Sequence, residues 1–214
     1  MSGGPDFAVH PRHLTDPGRV SKRLPGDCRF FERAEIAFVQ YLPSVRLVHV
    51  KIDIVTTGGT IEKIYSEQTG QVENLTAKID RYLQLLRLPD AGIEVMPLMN
   101  KDSLEMTEED RELILAAVRR KILEAPVVIT HGTDTMVETG RLLKQRLWPL
   151  PHPVVLTGAM TPLGFERSDG LQNLTESLFA ARILPPGVWI VMHGQVFDVD
   201  RARKDRERAR FVTE

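Results

Sequence analysis

The chain has 214 residues, the length of one domain or one domain plus a tail; 42% are apolar and 27% charged, which suits a folded core in a water-exposed body. A formal net charge of −1 supplies no basic field and argues against a dedicated nucleic-acid binder. The single cysteine, Cys28, excludes an internal disulfide framework or a cysteine-cluster metal site, and no apolar run approaches the roughly 18 residues of a membrane span.

Residues 1–26 are rich in Gly, Pro, Arg and His and lack periodicity, so they are expected to be disordered. Prolines and charges stand where a signal peptide would need an apolar stretch, and the protein is read as cytoplasmic. Phe31, Ile36, Phe38, Val39 and Leu42 give residues 27–46 a mild apolar pattern, that of one marginal helix docking on the body. The other reading makes 1–46 a leader outside the functional protein, with the true start at Val45 or Val48.

From Val48 the pattern is regular. Val48, Val50, Ile52 and Ile54 alternate with His49, Lys51 and Asp53, the period of a strand. "IEKIYSEQTGQVEN", with Gly70, reads as a hairpin or flap. Ile79, Tyr82, Leu83 and Leu86 have helical spacing. Residues 93–99 read as a strand. Thr107 caps a helix running to about Glu124, with Glu108, Glu109 and Asp110 in a first turn that favours acids. Strands follow at 127–130, 153–157 and 187–192; Met136, Leu143 and Leu147 mark one helix between them. A second is opened by Ser168 or Asp169 and continued by Leu171, Leu174 and Leu178. This alternation predicts an α/β fold: a mainly parallel sheet, helices on both faces, Rossmann-like in three layers, with a flap after the first strand.

Each strand is followed by a polar stretch: "TTGGTI" (56–61), "NKDSLEM" (100–106), "THGTDTM" (130–136), "TGAMTP" (157–162) and "HGQVFDVDRARKD" (193–205). In a parallel sheet these loops leave one edge, and open α/β sheets bind ligands outside the carboxyl ends of their strands. Buried hydroxyls without partners are costly, so this concentration of polarity indicates a site. Gly58-Gly59 permits a tight turn whose N–H groups can hold an oxyanion. The turn matches neither G-x-G-x-x-G nor G-x-x-x-x-G-K-[ST], which disfavours a nucleotide-phosphate loop.

G-x-S-x-G and H-E-x-x-H are absent, and the six histidines show no ligand spacing, so no metal or cofactor is expected. His131 reads as a hydrogen-bonded structural residue rather than a base. Threonine hydroxyl chemistry remains; it needs a base or polarising partner. Lys204 is the candidate base. Its neutral form would be favoured by Arg201, Arg203 and Arg206 and opposed by a carboxylate. For most of "RARKDRERAR" the expectation is a solvated charged helix or tail.

"TTGGTIEK", "DSLEM", "ITHGTDTMVET", "LTGAMTP", "SDGLQNLTES" and "GVWIVMHGQVFDVDRARK" resemble, in order and spacing, the amino-terminal domain of bacterial-type L-asparaginases, from about Val48 to Arg210. The resemblance implies that Thr60 is the nucleophile and Tyr65 the flap tyrosine that closes over substrate. It implies that Ser103, beside Asp102, holds the substrate carboxylate. Thr133, Asp134 and Lys204 would form a triad in which Asp134 also meets the substrate ammonium. Gly59 and Gly132 would contact the substrate and Ala159 and Met160 would line the pocket, with N–H groups near Gly59 and Thr133 as oxyanion donors and the Ala159 carbonyl near the leaving amide. The implied reaction is a two-step acyl transfer.

Family members typically carry a second, smaller carboxy-terminal domain. This chain ends at Glu214, so 47–214 is expected to be the catalytic domain of a one-domain form or of a truncated product, with no small domain. Arg206, Arg208 and Arg210 are candidates for subunit contacts. The expected function is hydrolysis of L-asparagine by a homo-oligomer, dimer or tetramer, with asparagine the only partner besides its own copies. Alternatives are an amidase preferring glutamine or another carboxamide, and a non-catalytic aspartate- or asparagine-binding module.

Overall fold

A computed structural model of the chain describes residues 50–89 and 91–214. The leader and docking helix expected within 1–46 lie outside the described residues.

Six strands form the main sheet: β1 (Val50–Gly58), β4 (Ala91–Lys101), β5 (Val127–Thr130), β6 (Pro153–Thr157), β7 (Gly187–Met192) and β8 (Gln195–Asp198). Their order is β4-β1-β5-β6-β7-β8. All neighbours run parallel except β7 and β8. Two more strands, β2 (Ile64–Tyr65) and β3 (Val72–Glu73), make the small antiparallel hairpin after β1. The helices are α1 (Ile79–Leu83), α2 (Glu108–Lys121), α3 (Met136–Leu147) and α4 (Gly170–Ile183).

Two apolar cores, one on each face, fix the layers. Val55, Ile129, Leu156 and Ile190 pack with Ile114, Val118 and Leu143 of α2 and α3. On the opposite face Ile54, Val128, Val155 and Val191 pack with Leu174 and Leu178 of α4. Each such side chain contributes about 1.5–3 kcal/mol when fully buried, so turning a helix off its face is costly. Asp53, one of the polar residues that alternate along β1, is buried too. Lys121, from the last turn of α2, pairs with it there at 3.1 Å. The start of α2 carries a full capping box between Thr107 and Asp110.

Two expectations are corrected. The helix read from Ile79 to Leu86 stops at Leu83; it lacks a side-chain cap, and Leu88-Pro89 just beyond opposes helical continuation. The stretch 193–205 is not a single loop, and "RARKDRERAR" is neither helix nor tail. The chain reverses at His193 and Gly194, both at positive φ, and β8 returns antiparallel along β7. Then β9 (Ala202–Asp205) and β10 (Arg210–Thr213) pair with each other. Ala202 and Phe211 join the first core, so a period-two pattern of small or apolar and charged residues outweighs the charge of the segment. Among the described residues no helix is long and apolar enough to cross a membrane.

Candidate active site

The carboxyl ends of β1, β4, β5 and β6 meet through glycines. Gly58 and Gly59 have φ of 98° and 75°, a region side chains avoid. There is also no room for one: a Cβ on Gly59 would lie 2.3 Å from the Gly132 nitrogen, and a Cβ on Gly132 would lie 2.4 Å from Ser103 Oγ. The turn bearing Thr60, the 130–136 loop and the Ser103 turn are therefore in direct contact.

Most polar groups of the 130–136 loop have partners among the described residues. The His131 ring is fully buried. Its Nδ1 meets the Gly132 carbonyl at 2.8 Å and its Nε2 the Thr139 hydroxyl at 2.9 Å. A carbonyl only accepts, so Nδ1 carries the proton and Thr139 donates to Nε2. Burial pushes His131 down to about 4, with the Gly132 carbonyl opposing and Arg111 reinforcing the shift. His131 is neutral at pH 7, and both ring nitrogens are engaged by structural groups. In a trans peptide N–H and C=O point in opposite directions, so the Gly132 carbonyl held by His131 turns the Thr133 N–H the other way. Thr135 donates its hydroxyl to the Ser103 carbonyl at 2.9 Å.

Thr133 and Asp134 meet the far end of the chain. Lys204 Nζ, on β9, donates to Thr133 Oγ1 at 2.7 Å and to Asp134 Oδ1 at 3.0 Å. Arg206 Nη2 reaches the same Asp134 oxygen at 3.0 Å. Arg206 thus makes an intrachain ion pair, and Arg208 pairs with Asp205. Met160 Sδ lies 3.8 Å from the Thr133 hydroxyl, which places the 158–160 turn beside it. Ala159 is fully buried in that turn.

Thr60 opens a 3-10 turn. Among the described residues no side chain bonds its hydroxyl, and its N–H and that of Thr133 donate to no residue. The N–H of Gly59, expected among the oxyanion donors, is not free: it donates to the Lys101 carbonyl at 2.7 Å. This bond is what pins the turn to β4. Tyr65 lies on β2, 58% exposed, and its hydroxyl makes no bond to a described residue; it is not brought onto Thr60. Ser103 is buried. Asp102 caps the Ser103 turn through the Leu104 N–H at 3.0 Å and accepts from Lys63 Nζ at 2.6 Å. Partial burial raises Asp102, but Lys63, the Leu104 N–H and the charge of Lys204 outweigh it and hold the carboxyl below its usual range.

Sequence reasoning missed a group of supporting residues. Asn74, after the hairpin, donates to the Gly59 carbonyl and to Asn100 Oδ1, both at 2.9 Å. The Asp169 carboxylate accepts from the Met160 and Thr161 N–H groups, Asn173 Nδ2 and His193 Nε2. Half-burial pushes Asp169 up, but the Met160, Thr161 and His193 bonds outweigh it and the carboxyl lies below its ordinary value. The available signal was "SDG" at a helix start, which local reading assigns to capping. Together these elements bring to one edge of the sheet a threonine hydroxyl, two free N–H donors and a lysine–threonine–aspartate cluster, residue types suited to acyl transfer.

A family model described as "Asparaginase, N-terminal" matches residues 51–210. Among curated relatives, the L-asparaginase of Thermococcus kodakarensis is 36% identical over 159 residues, 72% of this chain and 48% of that protein. One subunit of the glutamyl-tRNA(Gln) amidotransferase of Metallosphaera sedula is 34% identical over 154 residues, 69% of this chain and 35% of that protein. Among solved structures, the thermostable L-asparaginase from Thermococcus kodakarensis superposes with a TM-score of 0.67 at 33% identity, covering 77% of this chain and 51% of that one. The chain thus spans about half or less of the length of the relatives it matches.

Proposed function

The chain belongs to the asparaginase family, and from that premise we propose that it hydrolyses the side-chain amide of L-asparagine to L-aspartate and ammonia. Thr60 Oγ attacks the carboxamide carbon, its proton passes to the leaving nitrogen, and ammonia departs from an acyl-threonine ester. Water then adds to the ester, and aspartate leaves as the Thr60 hydroxyl is restored. The free N–H groups of Thr60 and Thr133 are the oxyanion donors in this reading; losing one such donor typically costs about 10²–10³ in rate. Ser103 and Asp102, with Gly59 and Gly132 as the floor, receive the amino-acid end of the substrate. The second oxygen of Asp134, free of Lys204 and Arg206, accepts its ammonium. Tyr65 closes over the site when the β2–β3 hairpin moves inward. A cytoplasmic homo-oligomer, dimer or tetramer, completes the reading.

The observation that carries this proposal is the contact of Lys204 with both Thr133 and Asp134, at 2.7 and 3.0 Å, beside a Thr60 turn that touches Gly132. A binder would need neither nucleophile nor lysine. Glutamine is the second candidate substrate, favoured by the likeness to part of an amidotransferase that is named for glutamyl-tRNA(Gln). Ammonia release from asparagine and glutamine over a wide concentration range tests both. Asparagine that raises the melting temperature without ever yielding ammonia would instead support the binding module.

A further inference from the structure

We infer that Asp169 is a positioning residue that aims the Ala159 carbonyl at the departing nitrogen; this rests on the amidase reading above. Asp169 stands at the N-cap of α4 but makes no cap bond there; the Gly170 N–H is taken by Ser168 Oγ at 3.0 Å. Its carboxylate is spent on the neighbouring turn instead. It accepts from Met160 N at 2.9 and 3.0 Å and from Thr161 N at 2.9 Å. Asn173 Nδ2 at 2.9 Å and His193 Nε2 at 2.7 Å hold it from behind.

The peptide between Ala159 and Met160 is trans, since the only cis bond among the described residues is Trp148-Pro149. Tying its N–H to Asp169 therefore turns its C=O away from Asp169. The two carbonyls of the turn differ. That of Gly158 is taken by Asn173 Nδ2 at 3.0 Å. No described residue donates to that of Ala159, although Ala159 has 0% exposure. A buried backbone carbonyl almost always has a partner, so this one is an acceptor held in reserve. The turn flanks the Thr133 side chain on both sides, through Met160 Sδ at 3.8 Å and through Gly158, whose Cβ would lie 3.4 Å from Thr133 Cγ2. A primary carboxamide carries N–H donors to meet such an acceptor as its nitrogen gains a proton and leaves as ammonia; an ester's leaving oxygen carries none.

The test compares two substrates, L-asparagine and the β-methyl ester of L-aspartate, in wild-type and Asp169→Asn protein. The carboxamide has one acceptor oxygen where the carboxylate has two, and it sets an NH2 group against the Met160 and Thr161 N–H groups. A misplacement near 1 Å can cost about 10² in rate. The expected result is that kcat for the amide falls about 100-fold and for the ester less than about 3-fold, with Asp169→Glu recovering part of the amide rate. Equal losses on both substrates, or no loss on either, overturn the inference. If Asp169→Asn is insoluble, Asn173→Ser, which releases the same carboxylate from behind, must show the same amide-selective loss. A wild-type protein that turns over neither substrate overturns the amidase reading, and this inference falls with it.

Discussion

The ammonium of Lys204 donates to the hydroxyl of Thr133 at 2.7 Å, across 71 residues of chain. The bond joins β9 to the loop after β5 and gives Thr133 a fixed hydroxyl orientation. Lys204→Met keeps the length of the side chain and removes the donor. Steady-state ammonia release from asparagine is expected to fall by at least about 10³, as it does when members of a catalytic set are removed. Thr60→Ala is expected to abolish release altogether. Normal turnover in either variant would rule out the threonyl mechanism.

Arg206 shares Asp134 Oδ1 with Lys204 but is 68% exposed at its side chain. Exposed ion pairs contribute about 0–1 kcal/mol. Arg206→Ala should therefore leave kcat within about 2-fold and shift KM by less than about 5-fold, in contrast to Lys204→Met. A loss as deep as that of the lysine variant would place Arg206 in the chemistry.

Gly59→Ala places a methyl group 2.3 Å from the Gly132 nitrogen at φ 75°. The backbone conformation alone costs about 1–3 kcal/mol, and the neighbour is backbone that cannot rotate aside. Chemical denaturation should show an unfolding free energy lower by that amount or more, with activity lost even in the folded fraction. Gly70, also at positive φ but with open space around it, is the control: Gly70→Ala should cost about 1 kcal/mol and spare activity.

His131 makes stability depend on pH in a defined window. Its folded value is about 4 against about 6.5 when unfolded. Between these values the unfolded chain binds more protons, so stability rises with pH across the window and is lost as pH falls from 6.5 toward 4. The difference corresponds to about 3 kcal/mol. His131→Asn keeps a donor for the Gly132 carbonyl and removes the titration. Denaturation at pH 7, 5.5 and 4.5 should show this fall in the wild type and a flatter profile in the variant.

How far the site is readable without coordinates differs from residue to residue. The "THGTDTM" loop is conspicuous because five polar groups follow five apolar residues at a strand end, and the side chains of His131, Thr133, Asp134 and Thr135 prove to have local or cross-loop tasks. Tyr65 is as conspicuous, being the only tyrosine of the hairpin, yet it stands exposed with no hydrogen bond to a described residue. Residue type carries no information on hairpin position. Asp169 is invisible as a site residue because an acid at a helix start already has a familiar local explanation.

The sequence by itself determined the strands of the parallel sheet, the helices that cover it and the edge at which their loops gather. Strand and helix periods depend on neighbours two, three or four residues away, and a parallel sheet must gather its loops at one end. Only the tertiary structure decided that β8 turns back along β7, that β9 carries Lys204 to Thr133 and Arg206 to Asp134, and that Asp169 holds the Met160 turn. Those contacts depend on chain reversal at His193-Gly194 and on the fit of two loops far apart in sequence. A short-range pattern of apolar and polar residues leaves such long-range pairings unspecified, because many partners satisfy the same local alternation and only mutual packing selects among them.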